Sequence, residues 1–170
     1  MVGGIQKGMV ATDEHARKLD KQCQFLKEEL ANEFPTLTMQ RKLRKDQIPG
    51  GVGACEPDGG AWFRDGKLIA IFEAKKQQNR GNAIERWFKN NYIARAINPD
   101  VSYVTFAIGE GVIDNGVVTK ALNVAHLEGF DKYNAGSNSC FRNVEGFDTK
   151  EIYEIMKKVL LERVDFISKL

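Results

Sequence analysis

Residues 57–75 read PDGGAWFRDGKLIAIFEAK, and this stretch decides the fold. Within it, residues 68–72 form a short apolar run rich in isoleucine with charged residues at both ends, which is typical of a buried strand rather than a helix. Asp65 and Gly66 form a pair that favours a tight hairpin turn. The sequence therefore predicts a β-hairpin in which residues 61–64 pair with residues 67–70.

Charged side chains stand at both ends of this predicted hairpin. Side chains alternate along a strand, so Glu73 and Lys75 point the same way and Ala74 points the opposite way. Asp58 follows a proline and precedes two glycines, which places it at a bend. Because the hairpin carries Asp58 back beside Glu73, we expect two carboxylates and an ammonium group to meet at one end of a sheet.

Two close carboxylates repel one another unless a cation lies between them. Mg²⁺ prefers oxygen ligands and takes one or two carboxylates together with water and phosphate oxygens. We therefore predict that Asp58, Glu73 and the carbonyl oxygen of Ala74 bind Mg²⁺. Lys75 is placed to orient a water molecule or to stabilise charge on a phosphorane, which indicates phosphodiester hydrolysis. Charged residues at strand ends are common, so the motif by itself is only moderately specific.

The composition bounds the class of protein. The chain has 170 residues, of which 42% are hydrophobic and 28% charged, as expected for one globular domain spanning residues 1–170. The sequence has neither the long apolar run of a membrane span nor a secretory signal pattern, so we expect a cytoplasmic protein. The three cysteines and two histidines lack metal-ligand spacing, which argues against zinc and disulfides and favours buried thiols.

Positive charge is concentrated locally, although the net charge is only +2. One basic block is RKLRK at residues 41–45. A second block between residues 75 and 89 contains Lys75, Lys76, Arg80, Arg86 and Lys89. Each block alone is consistent with solvated surface, but two blocks flanking a carboxylate pair favour a polyanionic substrate.

The periodicity of apolar residues predicts the other elements. These are a helix over residues 12–34, an edge strand over 37–43, a loop over 47–53, a helix over 82–97, a strand over 103–108, a short helix over 119–127, a polar loop to residue 139 and a helix over 148–168. This order predicts an α/β fold in which a mixed central β-sheet is flanked by helices on both faces.

A further motif, GNAIER at residues 81–86, follows EAK by a few residues. Together with PDGG it resembles the EcoRI-like type II restriction endonucleases of the PD-(D/E)xK nuclease superfamily. The resemblance continues with NEFPTL at residues 32–37, the YVxF strand at residue 103 and FDTKEIYEIM at residues 147–156. It is therefore colinear over most of the chain.

This resemblance implies a restriction-endonuclease-like core, with Asp58 and Glu73 as metal ligands and Lys75 as the catalytic lysine. It also implies that residues 81–86 enter the major groove and read adenines in a central AATT.

The residue types of GNAIER suit that role. Asn82 pairs well with adenine and Arg86 with acceptor-rich base edges, and the two are one helical turn apart. Ala83 permits contact with a thymine methyl group, while Glu85 can buttress an arginine or accept from a base amino group. The alternative is that NAIER is simply a good helix start with Asn82 as its cap.

The chain also departs from the family. It is much shorter, which leaves little room for the arms that wrap DNA outside the core. The family's additional arginine-bearing segment corresponds to residues 122–128, which contain His126 but no arginine. The sequence therefore does not predict the base pairs that flank AATT.

The resulting functional expectation is a Mg²⁺-dependent double-strand DNA endonuclease that cuts a palindromic site containing AATT and leaves 5′ extensions. We expect a homodimer, because a two-fold protein matches a palindromic site, and a cognate DNA methyltransferase in the host. The alternatives are a structure-selective or homing nuclease of the same superfamily and a catalytically inactive DNA-binding relative.

Overall fold

The computed structural model describes residues 2–51, 53–75, 81–107, 138–141 and 144–168, with the backbone alone for residues 2–13, 81–88, 107, 138–140 and 164–168. Its helices and strands are α1 (Val2–Leu30), β1 (Leu37–Gln40), β2 (Ala61–Arg64), β3 (Lys67–Lys75), α2 (Gly81–Ile97), β4 (Ser102–Ala107), β5 (Asn138–Phe141) and α3 (Lys150–Ser168). None of the helices in these ranges is long and apolar enough to cross a membrane.

The strands form one mixed sheet in the order β1-β2-β3-β4-β5. The pairs β1–β2 and β2–β3 are antiparallel, whereas β3–β4 and β4–β5 are parallel. Parallel neighbours need a long crossover, and α2 lies in the connection from β3 to β4. The predicted mixed sheet of an α/β fold is therefore confirmed, as is the edge position of β1 among the described strands.

The β2–β3 hairpin turns at Asp65 and Gly66, whose φ angles are +50° and +79°. Positive φ at both central residues is what a tight hairpin turn of this type requires, and Asp-Gly supplies it at low cost. Residues 61–64 pair with β3 as predicted, except that the register shifts beside Trp62 and leaves Ile69 unpaired. This irregularity extends the pairing by one residue, so Ala61 lies opposite Ile71.

Two clusters of buried side chains pack against the sheet. The α1–α3 cluster joins Leu19, Cys23 and Leu26 of α1 and Ile152, Met156 and Leu160 of α3 to Trp62, Phe72, Val104 and Phe106 of the strands. The α2 cluster joins Ile93 and Ala94 of α2 to Leu68, Ile71 and Tyr103, and to Leu43, Ile48 and Cys55 of the segment before β2. Consecutive residues Ile71 and Phe72 enter different clusters, as alternation along a strand requires.

The first helix differs from the prediction at both ends. It begins at Val2 rather than residue 12. Glycine is a weak helix former, so the glycines near the start of the helix do not predict a helix there. It ends at Leu30 rather than residue 34, and residues 31–33 form a turn. The chain must leave the helix early because Pro35 disfavours a helical residue before it and β1 begins at Leu37.

The predicted polar loop to residue 139 is also corrected, because β5 begins at Asn138. Residues 138–141 form a strand because they pair in parallel with β4, with Phe106 opposite Phe141, although their local sequence does not predict one. The predicted helix over residues 119–127 lies outside the described residues. Cys23 and Cys55 are free and buried, which confirms the prediction of buried thiols for these two.

Candidate active site

Two glycines dock the start of the hairpin onto β3. The Gly59 N–H donates to the Phe72 carbonyl at 2.8 Å, and the Phe72 N–H donates to the Gly60 carbonyl at 3.4 Å. A Cβ atom on Gly59 would lie 2.6 Å from Phe72 Cβ and 3.0 Å from its carbonyl oxygen. Close backbone approach at this point therefore requires glycine, and it brings the preceding Asp58 beside the end of β3.

The α1–α3 cluster holds this docked segment from one side. The Gly59 carbonyl accepts hydrogen bonds from Cys23 Sγ at 3.1 Å and from Trp62 Nε1 at 3.0 Å. Both donors are fully buried, so the segment is fixed by packed side chains rather than by solvent-exposed contacts. Cys23 therefore has a structural role. Its burial also raises the pKa of the thiol far above the usual range, so the reactive thiolate is disfavoured.

Asp58 is half-buried and faces the backbone of β3. Its Oδ2 accepts a hydrogen bond from the Ala74 N–H at 3.1 Å. Burial is the main cause that raises the pKa of Asp58, and the exposed Glu56 adds to it. The positive charge of Lys75 and the hydrogen bond from Ala74 oppose this rise in pKa. The carboxylate is therefore tied to the strand that carries the other candidate residues.

Glu73 is 2% exposed, and its carboxylate is the most buried acidic group of the described side chains. Burial raises the pKa of Glu73 to about 7, and the negative charge of Asp58 adds to the effect. The positive charge of Lys75 acts in the opposite direction and lowers the pKa of Glu73. A cation placed between Asp58 and Glu73 would offset the repulsion between their two negative charges.

Lys75 completes the group at the end of β3. Its Nζ lies 3.4 Å from Glu73 Oε2, and the lysine side chain is 17% exposed. The structure thus brings Asp58, Glu73, Ala74 and Lys75 together, in the arrangement that the hairpin predicts. The roles of these residues in catalysis and metal binding remain predictions.

The donor set fits a hard divalent cation with few protein ligands. Among the described side chains, no group of three or more His, Cys, Asp or Glu converges on one point. Two carboxylates and a backbone carbonyl are instead available from Asp58, Glu73 and Ala74. Such a small set of protein ligands suits Mg²⁺, because proteins usually leave Mg²⁺ with several waters and let it share its coordination with substrate phosphates.

The predicted DNA-reading residues can be placed only in part. Asn82, Ala83, Glu85 and Arg86 lie in the backbone of the first turns of α2, and their side chains are outside the described part of the structure. Lys76, Arg80 and His126 are outside the described residues altogether. The helix begins at Gly81, and only five residues separate it from the end of β3 at Lys75, so the predicted reading segment closely follows the candidate active site in the sequence.

The sequence predicts Tyr103 only as a strand residue and predicts no role for Arg95. Both side chains are buried. The parallel register places Ile71 opposite Tyr103 and Glu73 opposite Thr105, which puts Tyr103 and Glu73 on the same side of the sheet. The signal in the sequence for Arg95 is a cation between two alanines, Ala94 and Ala96, in the last turns of α2. No local signal relates Tyr103 to Glu73, because their shared side of the sheet follows from the pairing of β3 with β4.

Comparison of the chain with protein-family models, with curated proteins and with solved structures finds no match.

Proposed function

We propose that this protein is a Mg²⁺-dependent, sequence-specific double-strand DNA endonuclease of the type II restriction class. The observation that carries the proposal is the meeting of Asp58, Glu73 and Lys75 at the carboxyl end of β3, with a charge pattern that favours a divalent cation. The resemblance of PDGG, EAK and GNAIER to the EcoRI-like enzymes supplies the substrate class.

The proposal includes a restriction-endonuclease-like core with helices on both faces of the sheet. The alternation of β3 between the α1–α3 cluster and the α2 cluster supports this arrangement. In the chain, five residues separate the carboxyl end of β3 from the start of α2. Cutting and reading would then be performed by adjacent segments of one chain.

In this mechanism, Asp58, Glu73 and the Ala74 carbonyl would hold the metal ion. When bound, Mg²⁺ supplies Lewis-acid polarisation of the phosphate and lowers the pKa of a bound water. Lys75 orients the attacking water and stabilises the negative charge that develops on the phosphoryl oxygens. Its ammonium group lies 3.4 Å from Glu73 Oε2, which keeps it beside the proposed metal ligands.

Sequence choice is assigned to the start of α2. A helical backbone from Gly81 puts Asn82 and Arg86 one turn apart, which is the spacing that lets both face one groove. We propose that they read a palindrome containing AATT and that two copies of the chain act on the two strands, leaving 5′ extensions. A restriction role further requires a cognate DNA methyltransferase in the host.

The test is cleavage of plasmid DNA in Mg²⁺, with and without chelator, followed by sequencing of the ends. The expected result is metal-dependent cutting at one palindrome containing AATT. Random ends would contradict sequence specificity, and cutting restricted to branched DNA or to one long site would favour a structure-selective or homing nuclease. Duplex binding in chelator without hydrolysis under any divalent metal would favour an inactive DNA-binding relative.

Two matched pairs of variants test the site itself. Lys75→Met is expected to lower cleavage about 100- to 1,000-fold, a loss typical of removing one charge-stabilising group, and to spare specific DNA binding. Its control is Lys67→Met at the opposite, exposed end of the same strand. Asp58→Ala is paired with Asp65→Ala in the hairpin turn. Normal cutting by Asp58→Ala or Lys75→Met would refute the assigned roles.

A further inference from the structure

The basic block at residues 41–45 starts at the same end of the sheet as the candidate active site. β1 and β3 each pair antiparallel with β2, so the two strands run in the same direction. Gln40, the last residue of β1, stands opposite Ala61, and Ala61 stands opposite Ile71 of β3. Two strand spacings amount to about 10 Å across the sheet. The segment that follows β1 therefore starts at the end of the sheet that carries Glu73.

Two glutamines close this segment into a loop. Gln40 Nε2 donates to Gln47 Oε1 at 2.9 Å, and Gln47 Nε2 donates back to Gln40 Oε1 at 2.8 Å. The Arg44 N–H also donates to Gln47 Oε1 at 2.9 Å, and the Gln47 N–H donates to the Arg44 carbonyl at 3.0 Å. We call residues 41–46 the basic loop. Its two ends are joined by this pair of amides, so its conformation is fixed at its base.

The middle of the basic loop is anchored to the segment that leads to Asp58. Leu43 is 2% exposed and belongs to the α2 cluster, and its N–H donates to the Cys55 carbonyl at 2.9 Å. Cys55 is also buried, and it precedes Asp58 by three residues. Leu43 is the one apolar residue of the basic loop. Its burial leaves the charged side chains of the loop on the outside.

Two lysines of the basic loop carry charge that no carboxylate offsets. Both arginines of the loop are paired, namely Arg41 with Asp20 at 2.6 Å and Arg44 with Asp46 at 3.1 Å. Lys42 and Lys45 are exposed and form no ion pair with any described side chain. Exposed lysines are commonly no more than solvated surface, but these two project from a backbone that is held at its base and in its middle. A loop that is already ordered avoids the cost of ordering when it binds.

We infer that the basic loop is a preorganised phosphate clamp for duplex DNA, in which Lys42 and Lys45 contact backbone phosphates near the phosphate that is cut. Lysine binds phosphate oxygens as a point charge, and such contacts position a duplex without reading its sequence. The inference rests on the proposed function for its choice of duplex DNA among polyanions. It does not require that the protein cut the DNA.

The test is binding of a duplex of arbitrary sequence in chelator, measured by fluorescence anisotropy at several salt concentrations. The loop variant, Lys42→Gln with Lys45→Gln, removes two positive charges. Its control, Lys67→Gln with Lys158→Gln, removes two exposed charges at the opposite end of β3 and on α3. Each phosphate contact contributes about 0.9 to the slope of log K against log salt, so the loop variant should lose about 1.8. The control should keep the wild-type slope.

Gln47→Ala tests the preorganisation, because it removes the amide pair and retains both lysines. Its salt slope should stay at the wild-type value, since the same phosphates are contacted once DNA is bound. Its affinity should fall about 2- to 10-fold, because the loop must then be ordered on binding. The control is Gln22→Ala, whose Nε2 donates to the Thr149 carbonyl at 3.0 Å away from the loop, and it should bind as the wild type does.

Calorimetric titration with Mn²⁺, in the absence of DNA, separates the basic loop from the metal site. The loop variant should bind Mn²⁺ as the wild type does, because the basic loop contributes no proposed metal ligand. Weaker Mn²⁺ binding in this variant would overturn the inference, since the loop would then act through the metal site.

A wild-type salt slope in the loop variant would also overturn the inference, as would an equal loss of slope in its control. Wild-type affinity in Gln47→Ala would overturn the preorganisation. If the wild type binds duplex with these dependences but cuts no DNA, the nuclease proposal fails and the inference stands. If the wild type cuts DNA while the loop variant keeps the wild-type slope, only the inference fails.

Discussion

The two buried clusters of this protein differ in what they contain. The α1–α3 cluster is made of apolar side chains, and its polar donors Cys23 and Trp62 are both satisfied by the Gly59 carbonyl. Most buried polar residues among the described side chains lie on the α2 side of the sheet or on α2 itself, namely Glu73, Asn90, Asn91, Arg95 and Thr105, whereas Ser102 lies on the other side. The first cluster stabilises the hairpin and fixes PDGG, whereas the second holds charge in a site of low polarity. The two sides of β3 thus differ: one side packs in an apolar core that stabilises the fold, and the other side carries the candidate active-site residues Glu73 and Lys75.

The largest effect is expected from breaking the apolar packing. Phe72→Ala removes a fully buried ring that contacts Trp62 edge-to-face at 6.3 Å between centroids. We expect a loss of about 3–5 kcal/mol in the free energy of unfolding, measured by urea denaturation, which is the usual cost of Phe→Ala in a core. Lys67→Ala, at the exposed start of the same strand, is the control and should change stability by less than about 0.5 kcal/mol. A Phe72→Ala loss as small as the control's would show that this cluster is not the main source of stability.

The second largest effect is expected from Glu73, on the side of β3 that faces the α2 cluster, and it depends on pH. Glu73 has a pKa of about 7 in the folded protein against 4.5 for the ordinary group, so the folded state binds the proton more tightly than the unfolded state. Wild-type stability should therefore fall as pH rises from about 4.5 to about 7. Glu73→Gln lacks this penalty, and its advantage over wild type in chelator should grow to about 3 kcal/mol above pH 7.

Urea denaturation at pH 5 and pH 8 measures this difference. Phe72→Ala serves as the reference, because it removes no titrating group. The free energy of unfolding that it costs should be similar at both pH values. Mg²⁺ should stabilise the wild type and not Glu73→Gln, because only the wild type retains both carboxylates. An advantage of Glu73→Gln that does not increase between pH 5 and pH 8 would refute the assigned cost of burying this charge.

The hairpin and the meeting of Asp58 with Glu73 were predictable from the sequence, because both follow from local rules. Asp65-Gly66 determines the turn, alternation determines which way Glu73 and Lys75 point, and two glycines permit the close approach. The start of α1 was not predictable in the same way, because weak helix formers precede residue 12. Its position depends on the tertiary structure rather than on local propensity.

The strand β5 and the position of Tyr103 relative to Glu73 required non-local information. β5 is recognisable only from its pairing with β4, and Tyr103 shares a side of the sheet with Glu73 only because β3 and β4 are parallel in one particular register. A sequence pattern reports the side to which each residue of a strand points. It does not report the neighbouring strand, and the polar side of this site depends on that neighbour.

The third effect tests whether the two clusters are linked at PDGG. Gly59→Ala would place a Cβ atom 2.6 Å from Phe72 Cβ, where neither backbone can yield easily. We expect a loss of about 1–3 kcal/mol from overpacking, together with weaker Mn²⁺ binding because Asp58 is displaced. Gly146→Ala is the control, since its Cβ would meet mainly the Asp148 side chain at 3.1 Å. Loss of stability with unchanged Mn²⁺ affinity would show that docking of PDGG does not position Asp58.

The smallest effect is expected where α2 is tied to β3. Asn98 follows the end of α2, and its Nδ2 donates to the Leu68 carbonyl at 2.7 Å, which secures the helix over the strand that carries Glu73. Asn98→Ala should lower the free energy of unfolding by about 1 kcal/mol, the net value of one such hydrogen bond. If α2 serves mainly to hold the polar groups in register, Mn²⁺ affinity should fall as well, because Glu73 lies on the side of β3 that faces the α2 cluster. In Phe72→Ala, by contrast, the stability loss is larger although α2 is untouched. A drop in affinity in Asn98→Ala that exceeds the drop in Phe72→Ala would therefore establish that the α2 cluster, and not overall stability, controls the metal site.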